Sequence, residues 1–124
     1  MTRATAMRIA AALGFLAVAL GAFGAHGLKN LLGHNGTTEI WEKAVFYHFI
    51  HTVVLLVLAQ KPAPPKWAFR FFVFGIIIFS GSLYVLAVTN VLWLGAITPV
   101  GGLSLLAGWA ALFFGAGKEK ADIS

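Results

Sequence analysis

The sequence contains no cysteine. Disulfide cross-links, thiolate metal sites and cysteine nucleophiles are therefore excluded at the outset. Charge is also scarce: nine basic and four acidic residues among 124, or 10% of the chain. Soluble domains carry about 25%. None of the four acidic residues falls inside an apolar run. This removes the intramembrane carboxylates on which proton relays usually depend. It leaves only Glu42, at the rim, as an acidic residue that could orient a metal-bound histidine.

What is present is apolar. Hydrophobic residues make up 60% of the chain and the mean hydropathy is +0.88. A chain of this length buries only part of its surface on folding, so water is a poor solvent for it and a bilayer a good one. The net charge of +5 could suggest nucleic acid. The basic residues, however, sit in short segments between apolar runs, where they read as topology determinants facing lipid headgroups. Nucleic acid is not an expected partner; membrane lipids are.

Four apolar runs predict an all-α integral membrane four-helix bundle in a single transmembrane domain, residues 1–124, with helices at about 9–25, 38–59, 67–89 and 99–117. Between the first two runs, Leu28, Leu31 and Leu32 have helical spacing and predict one turn lying in the interface. Thr38 is the expected N-cap of the second helix, with Glu39 and Glu42 suited to the helix dipole. Pro62, Pro64 and Pro65 end that helix. Thr98-Pro99 reads as N-cap and first residue of the last helix. Seven basic residues (Arg3, Arg8, Lys61, Lys66, Arg70, Lys118 and Lys120) lie on one side, against Lys29 and Lys43 on the other. The positive-inside rule then gives an N-in/C-in protein of the cytoplasmic (inner) membrane. Trp67 on the inner edge, with Trp41 and Trp93 on the outer edge, would be interfacial aromatics. The N-terminus, with Arg3 and Arg8, an apolar stretch and Ala22-Phe23-Gly24, imitates a signal peptide. It is read here as a retained span.

Two kinds of signal lie within the spans. Ala10, Gly14, Ala17, Gly21 and Gly24 in the first helix form a small-residue seam of 3.5-residue period, as do Gly101, Ser104, Gly108, Ala111 and Gly115 in the last. Such seams let backbones approach closely. The expectation is that the first and last helices pack together, antiparallel, along them. A seam used between copies of the chain is the variant, and four short helices are compatible with a homo-oligomer.

The second signal is polar. Tyr47, His48, His51 and Thr52 share about 140° of the second helix. Depth counting puts Ser80, Ser82 and Tyr84 at the same level, with His26 and Thr98 at the outer ends of their helices. Beneath them lie Phe69, Phe71, Phe72, Phe74, Leu112 and Phe113. The picture is an outer-half cluster of His26, Tyr47, His48, His51, Ser80, Ser82, Tyr84 and Thr98 above an aromatic plug. Ionisable groups at this depth are functional candidates by default. The cluster either ties helices together or binds a lipid or small amphiphile. The alternative is a histidine metal site built from His26, His48 and His51, or a proton or ion pathway. No cofactor is expected. No nucleophile elbow is present, so an enzyme is the weaker reading.

The motifs Gly21-Ala22-Phe23-Gly24-Ala25-His26-Gly27-Leu28, Tyr47-His48-x-x-His51, Phe79-Ser80-Gly81-Ser82-Leu83-Tyr84 and Ile97-Thr98-Pro99-x-Gly101-Gly102, followed by Gly108-Trp109, occur in that order. Together they resemble the YgdD/YwdK-like family of small bacterial inner-membrane proteins, over nearly the whole chain. The resemblance implies a four-helix protein of the cytoplasmic membrane. It implies no reaction, because the family is one of unknown function.

Overall fold

The structure is a computed structural model that describes the backbone of residues 1–123 and the side chains of residues 1–117. Lys118 and Lys120, two of the charges used to orient the chain, lie outside the described side chains. The described residues are helical with no strand. The elements are α1 (Arg3–Ala25), α2 (Lys29–Asn35), α3 (Thr38–Ala59), α4 (Lys66–Gly75), a π-helical segment (Ile76–Ser80), α5 (Gly81–Thr89), a 3-10 turn (Leu92–Ala96) and α6 (Thr98–Ile123). Four stretches are long and apolar enough to cross a membrane: Arg3–Ala25, Thr38–Leu58, Lys66–Thr89 and Leu92–Gly117. The third is continuous through α4, the π segment and α5.

Several helix ends differ from the sequence expectation. The first helix begins at Arg3 rather than near residue 9, because the Thr2 hydroxyl accepts from the Thr5 amide and caps it. The Thr38 cap is displaced by one residue. Thr37 is the flanking residue of α3, and its hydroxyl donates across the bundle to the Ala87 carbonyl at 2.7 Å instead of capping. Asn35 donates to the carbonyls of Ala87 and Val88, both at 3.1 Å. These three bonds close the end of the bundle that carries α2. Gly36 ends α2 at φ +68°, a backbone conformation that suits glycine. At the opposite end Arg3 donates to the Gln60 side chain, so the N-terminus and the end of α3 are neighbours.

The packing follows chain order. Helices joined by short connections become antiparallel neighbours. α1 packs on α3, and α6 packs on α4 and the π segment. The two hairpins then meet through α3 and the third span. These central helices bury 33% and 39% of their spanning windows, against 17% for each outer helix, so the outer pair is the lipid-facing pair. The expected pairing of the first and last helices is thus corrected: α1 and α6 do not form a packed pair, and each uses its seam on its own hairpin partner.

The main core lies toward the end carrying the chain termini. It contains Ala6, Ala10, Leu55, Leu58, Phe69, Phe72, Ile76 and Leu105. A smaller cluster of Leu32, Trp41 and Ala87 seals the α2 end. The aromatic plug is only partly real. Phe69 and Phe72 are fully buried, but Phe74 and Phe113 are exposed on the lipid-facing surface. Trp41 is also not interfacial: it is buried, and its indole donates to the Leu20 carbonyl at 3.0 Å. Trp67 and Trp93 are exposed near helix ends.

Candidate functional site

Two histidines one helical turn apart on α3 organise the interior. His48 is 3% exposed and His51 is 6% exposed. One ring nitrogen of each bonds a backbone carbonyl, and a carbonyl can only accept, so that nitrogen must carry the proton. His48 Nε2–H donates to the Leu13 carbonyl at 2.9 Å. Its Nδ1 is then the acceptor for the Tyr84 hydroxyl at 2.8 Å. In His51 the tautomer is reversed. Nδ1–H donates to the Tyr47 carbonyl at 2.8 Å, and Nε2 accepts the Trp109 indole N–H at 3.1 Å. Both rings have both nitrogens engaged. His48 links α1, α3 and α5, and His51 links α3 to α6, so these two side chains connect all four spans.

Aromatic faces surround the pair. Tyr84 packs on Trp41 with centroids 4.8 Å apart. Tyr47 stacks on His51 at 6.1 Å with an interplanar angle of 9° and touches Phe79 at 4.6 Å. Phe72 lies 5.3 Å from Trp109. His51 is thirteen residues into α3, about 20 Å along the axis, and it meets Phe72 of α4 at 5.7 Å. The network therefore runs from Tyr84, toward the α2 end, down to the middle of the bundle.

The remaining expected residues are placed separately. Ser80 is buried and donates to the Ala44 carbonyl at 2.7 Å, tying the π segment to α3. Ser82 and Thr98 share a hydrogen bond at 2.7 Å between α5 and α6. Thr98 does not cap with its hydroxyl, which is spent on Ser82 and on the Leu94 carbonyl. His26 is exposed where α1 ends and joins none of the others. The eight residues thus form a histidine-centred network, a Ser82–Thr98 pair, an isolated Ser80 bond and a detached His26. Trp109, outside the eight expected residues, is a network member. Its indole N–H needed an acceptor at depth, and that was the signal for it. Ser104 joins it in this class, donating to the Phe71 carbonyl at 2.7 Å.

The chemistry open to this arrangement is narrow. Among the described residues, no buried side-chain nitrogen or oxygen lacks a hydrogen-bond partner. No three histidine or acidic side chains among them approach closely enough to hold a metal ion. His48 and His51 could offer a nitrogen to a metal only by giving up a bond already made. A proton entering either imidazole would next meet a backbone carbonyl, which cannot relay it. Neither Ser80 nor Ser82 bonds a histidine, so neither is activated as a nucleophile.

Two grooves flank the ridge of α3 formed by Phe46 and Ile50. One, of about 680 Å³, opens sideways between α3, the π segment and α6; Tyr47, His51, Phe79, Gly102 and Trp109 line it. The other, of about 670 Å³, lies between α1 and α3 beneath α2. Both fall in the size range of small-molecule sites, about 300–1,000 Å³.

Comparison with known proteins agrees with this architecture. The family described as "Protein of unknown function (DUF423)" matches residues 20–102. The UPF0382 inner membrane protein YgdD of Escherichia coli K12 is 40% identical, covering 97% of this chain and 95% of its own. A UPF0382 membrane protein of Staphylococcus saprophyticus is 42% identical over 83% of this chain and 88% of its own. One from Staphylococcus epidermidis is 46% identical over 78% and 82%. No solved structure matches the chain. With four spanning helices and relatives of this kind, the chain is a multi-pass inner-membrane protein that belongs to the DUF423 family of proteins of unknown function.

Proposed function

We propose that this protein binds a lipid or small amphiphile from the side, in the groove between α3 and α6, with the histidine network as the rigid wall behind it. The observation that carries this reading is the Tyr47 side chain. It is 38% exposed and lines the groove. Among the described residues its hydroxyl takes no protein partner. An unpaired O–H at the depth of a membrane span is costly unless something from the membrane accepts it. The rest of the lining, including Phe46, Ile50, Phe79, Leu103 and Leu106, is suited to an acyl chain or an apolar ring. An amphiphile with an oxygen acceptor near its apolar body meets both requirements.

The network suits a supporting role. Saturated neutral bonds between helices are modest individually in a membrane, about 0.6 kcal/mol on average. Their value is geometric, because they fix four spans against one another and keep the groove open. One chain forms the whole groove, so no second copy is required. With the basic residues around the chain termini taken as cytoplasmic, Tyr47 faces the outer half of the bilayer.

The test uses Gly102. A Cβ there would meet only the Phe79 ring, at 3.7 Å, so Gly102→Leu should fill the groove without breaking the bundle. Full-length protein would be purified in mild detergent and its retained amphiphiles read by native mass spectrometry. Parent protein should carry a bound species. Gly102→Leu should lose it, and Tyr47→Phe should hold it several-fold less well, the loss expected for one hydrogen bond. Equal retention by all three would overturn the proposal.

A further inference from the structure

The second groove has a different character. Its body is apolar: Val45, Phe46, Phe49 and Ile50 of α3 face the small residues Gly21 and Gly24 of α1. Its mouth is charged. Lys29, at the start of α2, and Glu42, in the second turn of α3, both line it, as does Thr38 at the start of α3. Among the described residues, neither Lys29 nor Glu42 takes part in an ion pair or a side-chain hydrogen bond.

The back of the groove is built rather than incidental. The Trp41 indole is fixed by its bond to the Leu20 carbonyl. It occupies the space that a Cβ on Gly24 would need. Any side chain larger than hydrogen at residue 24 would displace that wall. Above it, the charges sit where α1 ends and α3 begins, at the level of headgroups, while the apolar body runs down toward the bilayer centre.

We infer that the α1–α3 groove is a headgroup-selective site for a zwitterionic phospholipid with a primary ammonium. The phosphate meets Lys29 and Thr38, the ammonium donates to the Glu42 carboxylate, and an acyl chain lies along Val45, Phe49 and Ile50. The charge pattern selects against the alternatives. An anionic phospholipid without the ammonium brings its phosphate next to Glu42 with nothing to offset the repulsion. A fatty acid uses Lys29 only. A quaternary choline ammonium has no N–H to donate to Glu42. This inference goes beyond the α3–α6 groove and does not depend on it, since the two grooves lie on opposite sides of the Phe46–Ile50 ridge.

The experiment is a competition. Full-length protein in nanodiscs would be exchanged against equimolar phosphatidylethanolamine, phosphatidylcholine and phosphatidylglycerol of identical chains. Bound lipid would be read by native mass spectrometry after transfer to mild detergent. Phosphatidylethanolamine should be retained about tenfold over each competitor, the size expected of one charge-assisted hydrogen bond. Glu42→Gln should abolish the preference over phosphatidylcholine, and Lys29→Met should weaken all three lipids. Both residues are exposed, so thermal melts should match the parent. Gly102→Leu should leave the preference intact, which separates failure here from failure of the other groove. Equal retention of the three lipids by the parent protein, or an unchanged preference in Glu42→Gln, would overturn the inference.

Discussion

The two small-residue seams look alike in sequence and behave differently in space. On α6, Gly101 lets backbone approach backbone, since a Cβ there would overlap the main chain of Phe79 and crowd that of Ile78, whereas Gly108 makes room for the Phe72 ring. On α1, the same spacing mostly makes room for side chains. A Cβ at Gly14 would meet the Thr52 methyl at 3.5 Å, and one at Gly21 would meet Val45 at 3.4 Å. Gly24 is the tight exception, pressed against Trp41. A periodic stripe of small residues thus states that something comes close without stating what. Main-chain atoms cannot rotate away, whereas a methyl or an indole can adjust.

That contrast can be broken by three alanine substitutions. The largest effect is expected at Gly101→Ala. The π segment has to move away from α6, at a cost of about 3 kcal/mol or more, the upper end of overpacking. Thermal unfolding in detergent followed by circular dichroism would measure it, and a melt equal to the parent's would mean the backbones are not in contact. Gly24→Ala comes next, at about 1–3 kcal/mol, because the indole must swing out and give up the Leu20 carbonyl. Here tryptophan emission should shift along with the melt; a stability loss with unchanged emission would place the damage elsewhere. Gly14→Ala is expected to stay within about 0.5 kcal/mol of the parent. The contact at 3.5 Å is ordinary, and alanine is the better helix former. A large loss there would erase the distinction between the seams.

The polar residues show the same division. His48 and Tyr84 were recognisable together because ionisable and phenolic side chains at matching depths have to find partners. Depth counting could not say that Ser82 would choose Thr98, or that His26 would stand apart. It also placed Trp41 at the interface, where aromatics are common, when the short α2 helix in fact covers it. The caps expected at Thr38 and Thr98 misled in a related way. The residue flanking α3 is Thr37, whose hydroxyl bonds the Ala87 carbonyl, and the Thr98 hydroxyl bonds Ser82. A local rule yields whenever a buried acceptor on another helix lies within reach.

Composition and hydropathy by themselves determined the solvent, the all-helical class and the number of spans. Those properties depend on the cost of placing polar backbone in hydrocarbon, which each segment must meet alone. Which helix faces which was decided only by the folded chain, since the short connections close two hairpins and leave α1 and α6 apart. The tautomers of His48 and His51 were likewise settled only there. An imidazole's protonated nitrogen is set by the groups at its two edges, and those groups come from helices distant in sequence.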